Sequence, residues 1–333
     1  MKIKTKIPIS REVHADMETP LSVYRKLADA PFSYLFESVE GGDKWARYSL
    51  IGLPSKKIIR ISKNLIEIVE EEEIKERIEV SNPLDYIKSL HDSFSLEEIP
   101  GLPKFTGGLV GYFSYDCVRM IENRLEDSEP IDLLGTPDAL LMISEEVAVF
   151  DNLKNRLHLI VMVESEDEET LSRAESRLDQ LEKKLKENFE FEEFSKPNDS
   201  VEESDFVSSF GEKEFKSAVN KVKEYIKKGD VMQVVCSQRM SIPFNSDPVA
   251  LYRAVRYLNP SPYMYYLNLK DFHIVGSSPE ILARLEDGDV TVRPIAGTRR
   301  RGKNKDDDKA MELDMVNDPK EIAEHLKLIE EDE

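Results

Sequence analysis

No stretch of this chain is apolar enough for long enough to cross a membrane. The start, Met1-Lys-Ile-Lys-Thr-Lys-Ile-Pro8, lacks the continuous apolar core of a secretion signal, so a cytoplasmic protein without a membrane partner is expected. Cysteine is scarce. Cys117 and Cys236 lie far apart and match no metal or redox spacing, which excludes a disulfide framework and a cysteine-built metal site. Cys236 sits in an apolar run and reads as a buried thiol. Positive charge is also short: 46 Lys and Arg against 66 Asp and Glu give a net charge of −20, which excludes a general nucleic-acid binder. The one sizeable basic cluster, Arg299–Arg301 with Lys303 and Lys305, runs straight into Asp306–Asp308. No internal repeat is present. Phe105-Thr-Gly-Gly-Leu-Val-Gly-Tyr-Phe113 lacks the Lys-Ser/Thr ending of a phosphate loop and reads as a crowded strand whose glycines permit close packing.

What remains is a chain of 333 residues, long enough for one large or two medium domains. Lys57–Ile61 and Leu65–Val69 are β-branched runs around a polar Ser62-Lys-Asn64 turn, a hairpin pattern. Pro83–Phe94 reads as a helix capped by Asn82. Ala139–Phe150 and Arg156–Val163 read as strands around an Asp151-Asn152 turn. Leu171, Leu178, Leu181 and Leu185 recur on one face of a charged helix. The acidic stretch from Glu190 to Asp205 is the best linker. The expected division is therefore 1–163, a charged helix and linker over 164–205, and 206–333. In the last part, helix Lys213–Lys228 carries the stripe Phe215, Val219, Val222 and Ile226 and ends at Gly229, with a strand expected over Val231–Arg239. A helix near Pro248–Leu258 precedes strands at Tyr263–Leu269 and His273–Gly276. Mixed hairpins and helices indicate an α+β fold.

Chemistry concentrates in Val292-Arg-Pro-Ile-Ala-Gly-Thr-Arg-Arg-Arg301. A β-branched lead-in ends at a turn where Gly297 allows close backbone approach, Thr298 offers a hydroxyl and an N–H, and three arginines make the rim positive. Two readings fit the residues: a site for a small anion, above all a carboxylate, or a strand-to-loop turn with a solvated basic tail. Downstream, Asp318, Pro319 and Glu321 mark a helix start with capping-box-like spacing. Ile322, Leu326 and Ile329 form its expected buried face, with Glu324 on the other side and His325 bordering the apolar stripe.

This segment resembles the Pro-Ile-(Ala/Lys)-Gly-Thr signature of the chorismate-utilising enzymes. Gly229-Asp-Val-Met-Gln-Val-Val-Cys-Ser-Gln-Arg239 and Gly276-Ser-Ser-Pro-Glu-Ile-Leu-Ala-Arg284 are similar to two other motifs of that family, and Lys320-Glu-Ile-Ala-Glu-His325 to its metal-binding helix. The resemblance implies a layered β/α/α/β sandwich with two large, mostly antiparallel sheets outside and helices between them. It implies that Glu280 is the general acid that protonates the ring hydroxyl leaving chorismate. Thr298 is implied as a catalytic residue, and Gln233, Ala296, Gly297 and Thr298 as the substrate contacts. Glu324 is implied as a Mg²⁺ ligand; a direct role and a packing role remain equally open for His325.

Within the family, two positions discriminate. A Lys matching Gln233 activates water in isochorismate-forming relatives, and Gln cannot act as a base. A Lys matching Ala296 is a covalent nucleophile in aminodeoxychorismate synthases, and Ala cannot be. Direct attack by ammonia is left, which resembles the anthranilate-forming branch. A glutamine amidotransferase partner, the second component of such synthases, is implied as the ammonia source. Tyr34-Leu-Phe-Glu-Ser-Val-Glu-Gly-Gly42 and Asn259-Pro-Ser-Pro-Tyr-Met-Tyr-Tyr-Leu267 resemble that branch's two effector segments. They imply a tryptophan pocket from Glu37, Ser38, Asn259, Pro262, Tyr263 and Met264. The match runs from about Thr19 to Leu326 and then breaks, so the fold is expected to be incomplete at the C-terminus and the 333 residues to have little activity alone. The competing readings are an aminodeoxychorismate synthase without its lysine and a non-catalytic tryptophan-binding remnant.

Overall fold

In the computed structural model, residues 4–39, 47–96, 99–125, 132–188, 201–295 and 297–332 are described. The chain divides into two compact units: Met1–Phe189 with Tyr252–Glu333, and Glu190–Leu251. In the first unit β1 (Lys4–His14) leads to α1 (Pro20–Leu27), β2 (Ser33–Glu37), β3 (Tyr48–Gly52), β4 (Lys57–Ser62), β5 (Leu65–Glu70) and β6 (Glu73–Glu79). Then come α2 (Pro83–Ser93), β7 (Phe94–Leu96), β8 (Gly108–Phe113), β9 (Ala139–Ser144), β10 (Glu146–Asp151), β11 (Arg156–Val163) and α3 (Glu168–Leu185). The second unit holds β12 (Val207–Ser208), α4 (Glu212–Lys228) and β13 (Met240–Ser241). Helix α5 (Pro248–Leu258) leads back into the first unit, which ends with β14 (Tyr263–Asn268), β15 (His273–Ser278), β16 (Arg284–Glu286), β17 (Asp289–Thr291), α6 (Lys305–Asn317) and α7 (Pro319–Asp332).

Two sheets dominate the first unit. The larger has eight strands in the order β15-β14-β2-β3-β10-β11-β1-β7, and the smaller has five in the order β6-β5-β4-β9-β8. Every pairing is antiparallel except β1 with β7. Side chains alternate between faces along each strand. Tyr34 and Leu267 of the large sheet therefore meet Ile58, Val69, Val110, Leu140 and Met142 of the small one in a shared core. On the far side of the small sheet, Ile59, Ile61, Ile66 and Leu141 pack against Leu90 of α2. On the far side of the large sheet lies α3, with Ala174, Leu178, Leu181 and Leu185 buried and its packing on β11 and β1. Tyr24 of α1 and Tyr252 of α5 both meet the Tyr266 ring edge-on, at 5.4 and 5.9 Å.

The α+β class and the two large antiparallel sheets are those the resemblance implies. The boundary after Phe189 falls inside the expected 164–205 stretch, but the chain returns to the first unit at Tyr252. Helix α3 is a structural layer rather than a connector, and β14 and β15 extend the sheet built by the N-terminal residues. Residues 190–200 of the expected linker lie outside the described residues.

Local signals explain many elements. Asn82 accepts the Leu84 N–H at 2.9 Å ahead of Pro83, and Asp167 accepts that of Thr170 at 2.9 Å to start α3. Gly111 lets β8 approach β9; a Cβ there would lie 1.8 Å from the Leu140 carbonyl oxygen. The expected single strand 139–150 is two strands in different sheets, broken at Glu145, whose carboxylate accepts from Lys6 Nζ at 2.7 Å. In the second unit α4 ends at Gly229, in the left-handed region at φ +79°. The expected strand 231–239 has no regular structure; its last residue, Arg239, accepts the Ser209 N–H at its carbonyl at 2.8 Å. Among the described residues of that unit, Met240 and Ser241 form the ladder, with Ser208 and Val207. Cys236 is half-buried rather than buried.

Candidate functional site

The turn after β17 is tied to both of its neighbours. Glu280, two residues beyond β15, accepts the Ile295 N–H at 2.9 Å, which fixes the entry to the turn. Gly297 adopts φ +81°, where a side chain would be strained, and a Cβ there would lie 2.7 Å from Glu321 Oε2. Ala296 lies outside the described residues. Thr298 is exposed.

Arg299 is the hub on the helix side. Its Nε reaches Asp314 at 2.7 Å, Nη2 reaches Asp318 at 2.7 Å, and Nη1 reaches Glu321 at 2.8 Å. Hydrogen bonds to Asp314, then Glu321, hold the guanidinium still more firmly protonated than usual. Asp318 caps α7 through the Lys320 N–H at 2.9 Å, and that bond, with Arg299, holds its carboxyl below the ordinary range. Arg301 pairs with Asp308 at 2.7 Å. The expected positive rim is thus largely neutralised by acids of α6 and α7.

Helix α7 presents a different face from the expected one. Ile322, Leu326 and Ile329 are 43, 54 and 38 % exposed, whereas Glu321, Glu324 and Leu328 are half-buried. These three recur at helical spacing, so Glu324 stands on the inward face, one turn from Glu321. His325 is exposed. Glu321 serves Arg299 rather than the capping box anticipated for it. Glu280 is likewise exposed rather than set in a dry cleft. Among the described residues no three His, Cys, Asp or Glu groups gather in a metal-holding arrangement. Glu324 alone suits a hard cation that keeps its waters and needs only one or two protein carboxylates, which is how Mg²⁺ binds.

Gln233 lies in the second unit, exposed, in the segment without regular structure.

A second constellation forms where β2 meets β14. Met264 is the register partner of Glu37, and the Val39 N–H donates to the Ser261 carbonyl at 3.1 Å. Glu37 is buried, 2 % exposed at its side chain; it accepts the Tyr252 hydroxyl at 2.5 Å and pairs with Arg256 Nε at 3.1 Å. Burial first, then the Glu37 charge, pushes the Tyr252 phenol far up. Pro262 and Tyr263 are half-buried, Ser38 is half-buried, and exposed Asn259 accepts the Ser277 hydroxyl at its carbonyl at 2.7 Å. The two segments singled out in the sequence are therefore adjacent. Tyr252 and Arg256 were not singled out, although their four-residue spacing on one amphipathic helix face was a readable signal.

A cleft of about 880 Å³ lies elsewhere, lined by Lys6, Glu145, Glu146, Glu164 and Arg177 among others. In it Lys6 pairs with Glu145 and Glu164, and Arg177 with Glu146, and none of the motif residues line it.

Residues 39–331 match the family profile described as chorismate binding enzyme. The chain belongs to that family. As a chorismate-binding enzyme it is 50 % identical over 98 % of its length to anthranilate synthase component 1 of Pseudomonas putida. It is 40 % identical over 97 % to that of Acetivibrio thermocellus. In each case it spans 66 % of the relative's length. Among solved structures, anthranilate synthase component I of Streptococcus pneumoniae matches with TM-score 0.68 and 27 % identity, covering 96 % of this chain and 67 % of that one. The menaquinone-specific isochorismate synthase of Escherichia coli, at 11 % identity and TM-score 0.56 over 99 % of this chain and 63 % of that one, shares the fold alone.

Proposed function

We propose that this chorismate-binding chain belongs to an anthranilate synthase large subunit, converting chorismate and ammonia to anthranilate, pyruvate and water. The observation that carries the reading is the 50 % identity to an anthranilate synthase component 1 along 98 % of the chain. The residues support it chemically. Gln233 has no basic nitrogen to activate water, and Ala296 has no nucleophile, so ammonia must attack the ring directly.

In this reading Glu280 acts as a general acid toward the leaving ring hydroxyl, which departs as water. The turn is pre-shaped for a carboxylate: Gly297 brings backbone close, and Thr298 offers its N–H and hydroxyl. Mg²⁺, when bound, would supply positive charge to the substrate's ring carboxylate, with Glu324 as its protein ligand. Ammonia comes from a glutamine amidotransferase subunit acting as component 2. Tryptophan is the feedback ligand at the β2–β14 junction, where Ser38 offers a hydroxyl and Pro262, Tyr263 and Met264 an apolar wall.

The 333 residues by themselves are expected to turn over little. Leu282, Leu285, Val290 and Leu326 are all more than half exposed, so the turn and α7 lack the dry walls that such chemistry needs. The experiment is to incubate the protein with chorismate, ammonium and Mg²⁺ and to follow anthranilate fluorescence and pyruvate together. Isochorismate or an aminodeoxychorismate product would overturn the assignment.

A further inference from the structure

We propose that Arg299 is a positioning residue that locks the Gly297–Thr298 turn to the carboxylate-bearing face of α7, so that turn and helix move as one body. Its catalytic consequence rests on the function proposed above; the coupling itself does not.

Each of the three guanidinium nitrogens meets a different carboxylate, at 2.7 Å to Asp314, 2.7 Å to Asp318 and 2.8 Å to Glu321. Nη1 also donates to the carbonyl of Thr298, the residue before it, at 3.2 Å. A single exposed ion pair contributes little, but a network converging on one planar fork is geometrically specific. The Arg299 side chain is only 23 % exposed and that of Glu321 15 %. The other Glu321 oxygen fills the space where Gly297 has no side chain. One carboxylate of α7 thus bridges the arginine and the turn backbone.

Glu321 is one helical turn before Glu324 on the same inward face. Fixing Glu321 fixes the rotation of the helix, and with it the place of the Glu324 carboxylate relative to the turn. With its nitrogens engaged by three acids, Arg299 is not the group that meets an anionic ligand. Removing it would leave Asp314, Asp318 and Glu321 facing one another without a cation, which drives α6, α7 and the turn apart.

The test compares the wild-type protein with Arg299→Lys, Arg299→Gln and Glu321→Gln by hydrogen exchange without ligand, and by steady-state kinetics. The expected result for Arg299→Gln is exchange faster by about tenfold or more at 293–300 and 319–326 together. Arg299→Lys, which keeps the charge but not the fork, should rescue part of it. Glu321→Gln should reproduce it, and the double variant should add little to either single change. In the kinetics, half-saturation by Mg²⁺ should rise and kcat should fall along with any change in KM. Unchanged exchange at 319–326 in Arg299→Gln would overturn the proposal. So would a rise in chorismate KM alone, which marks a direct ligand contact. If the wild-type protein forms isochorismate or an aminodeoxychorismate product instead of anthranilate, the functional reading falls while the exchange result still decides the coupling.

Discussion

Tyr252 donates its hydroxyl to the Glu37 carboxylate at 2.5 Å, joining helix α5 to strand β2 across 215 residues of sequence. Both side chains are buried. Arg256, one turn further along α5, completes the arrangement by pairing with the same carboxylate. A buried carboxylate with two such partners is stable only while both remain. Tyr252→Phe is expected to destabilise the fold by about 1–3 kcal/mol, since it strands a buried acceptor. Denaturant melts at neutral pH measure this, and a change near zero would show that water replaces the phenol.

Tyr24, Tyr34 and Tyr252 share a consequence of burial. Desolvation is the largest cause raising each phenol, so the folded state holds protons that the unfolded chain releases. The free phenol loses its proton near pH 10. Stability from this source is therefore complete below that pH and falls as pH rises above it. Melting temperatures from pH 8 to pH 11 should be level first and then drop. A level profile throughout would contradict the assignment.

Asp167 carries the opposite sign. Its carboxyl is pushed down to about 2, chiefly by the Ser165 hydroxyl and then by the Thr170 N–H at the start of α3. The cap is at full strength above the ordinary carboxylate value of roughly 4 and is lost as pH falls toward 2. Circular dichroism of Asp167→Ala against wild type should show a difference at pH 6 that closes by pH 2.

Gly111→Ala should be poorly tolerated. The added methyl would lie 1.8 Å from the Leu140 carbonyl, and neither strand of the β8–β9 pair can yield without disrupting both sheets. A cost of about 3 kcal/mol is expected, at the upper end for overpacking. Gly229→Ala, where only the left-handed backbone opposes the change, should cost about 1 kcal/mol. Equal effects at the two sites would refute the packing explanation.

Elements with local causes were legible in the sequence. The 57–70 hairpin, helix α2 behind Asn82 and the crowded glycine strand β8 each carry their signal within a few residues. What escaped depends on distant partners. The run 139–150 is apolar on both sides of Ser144-Glu145-Glu146, and a short polar step alone does not show that the chain passes from one sheet to the other there, where Glu145 pairs with Lys6. Periodicity placed the apolar stripe of α7 inward. Arg299 instead draws Glu321 inward from 22 residues away, and no local pattern records that contact. The strand expected at 231–239 has the right composition, but a strand requires a neighbour as well as a sequence. Of the candidate site, the pairing of Glu280 with the turn and the meeting of the Glu37 and Met264 segments follow motifs visible in the sequence. The trident around Arg299 and the Tyr252–Arg256 clasp on Glu37 do not.

The proposed function requires that ammonia, rather than water or a protein nucleophile, attack the chorismate ring. The most direct test is product analysis of the intact protein isolated from its native cells, supplied with chorismate, Mg²⁺ and ¹⁵N-labelled ammonium. Labelled anthranilate and an equal amount of pyruvate are expected. Unlabelled isochorismate, or a labelled product that retains the enolpyruvyl group, would contradict it.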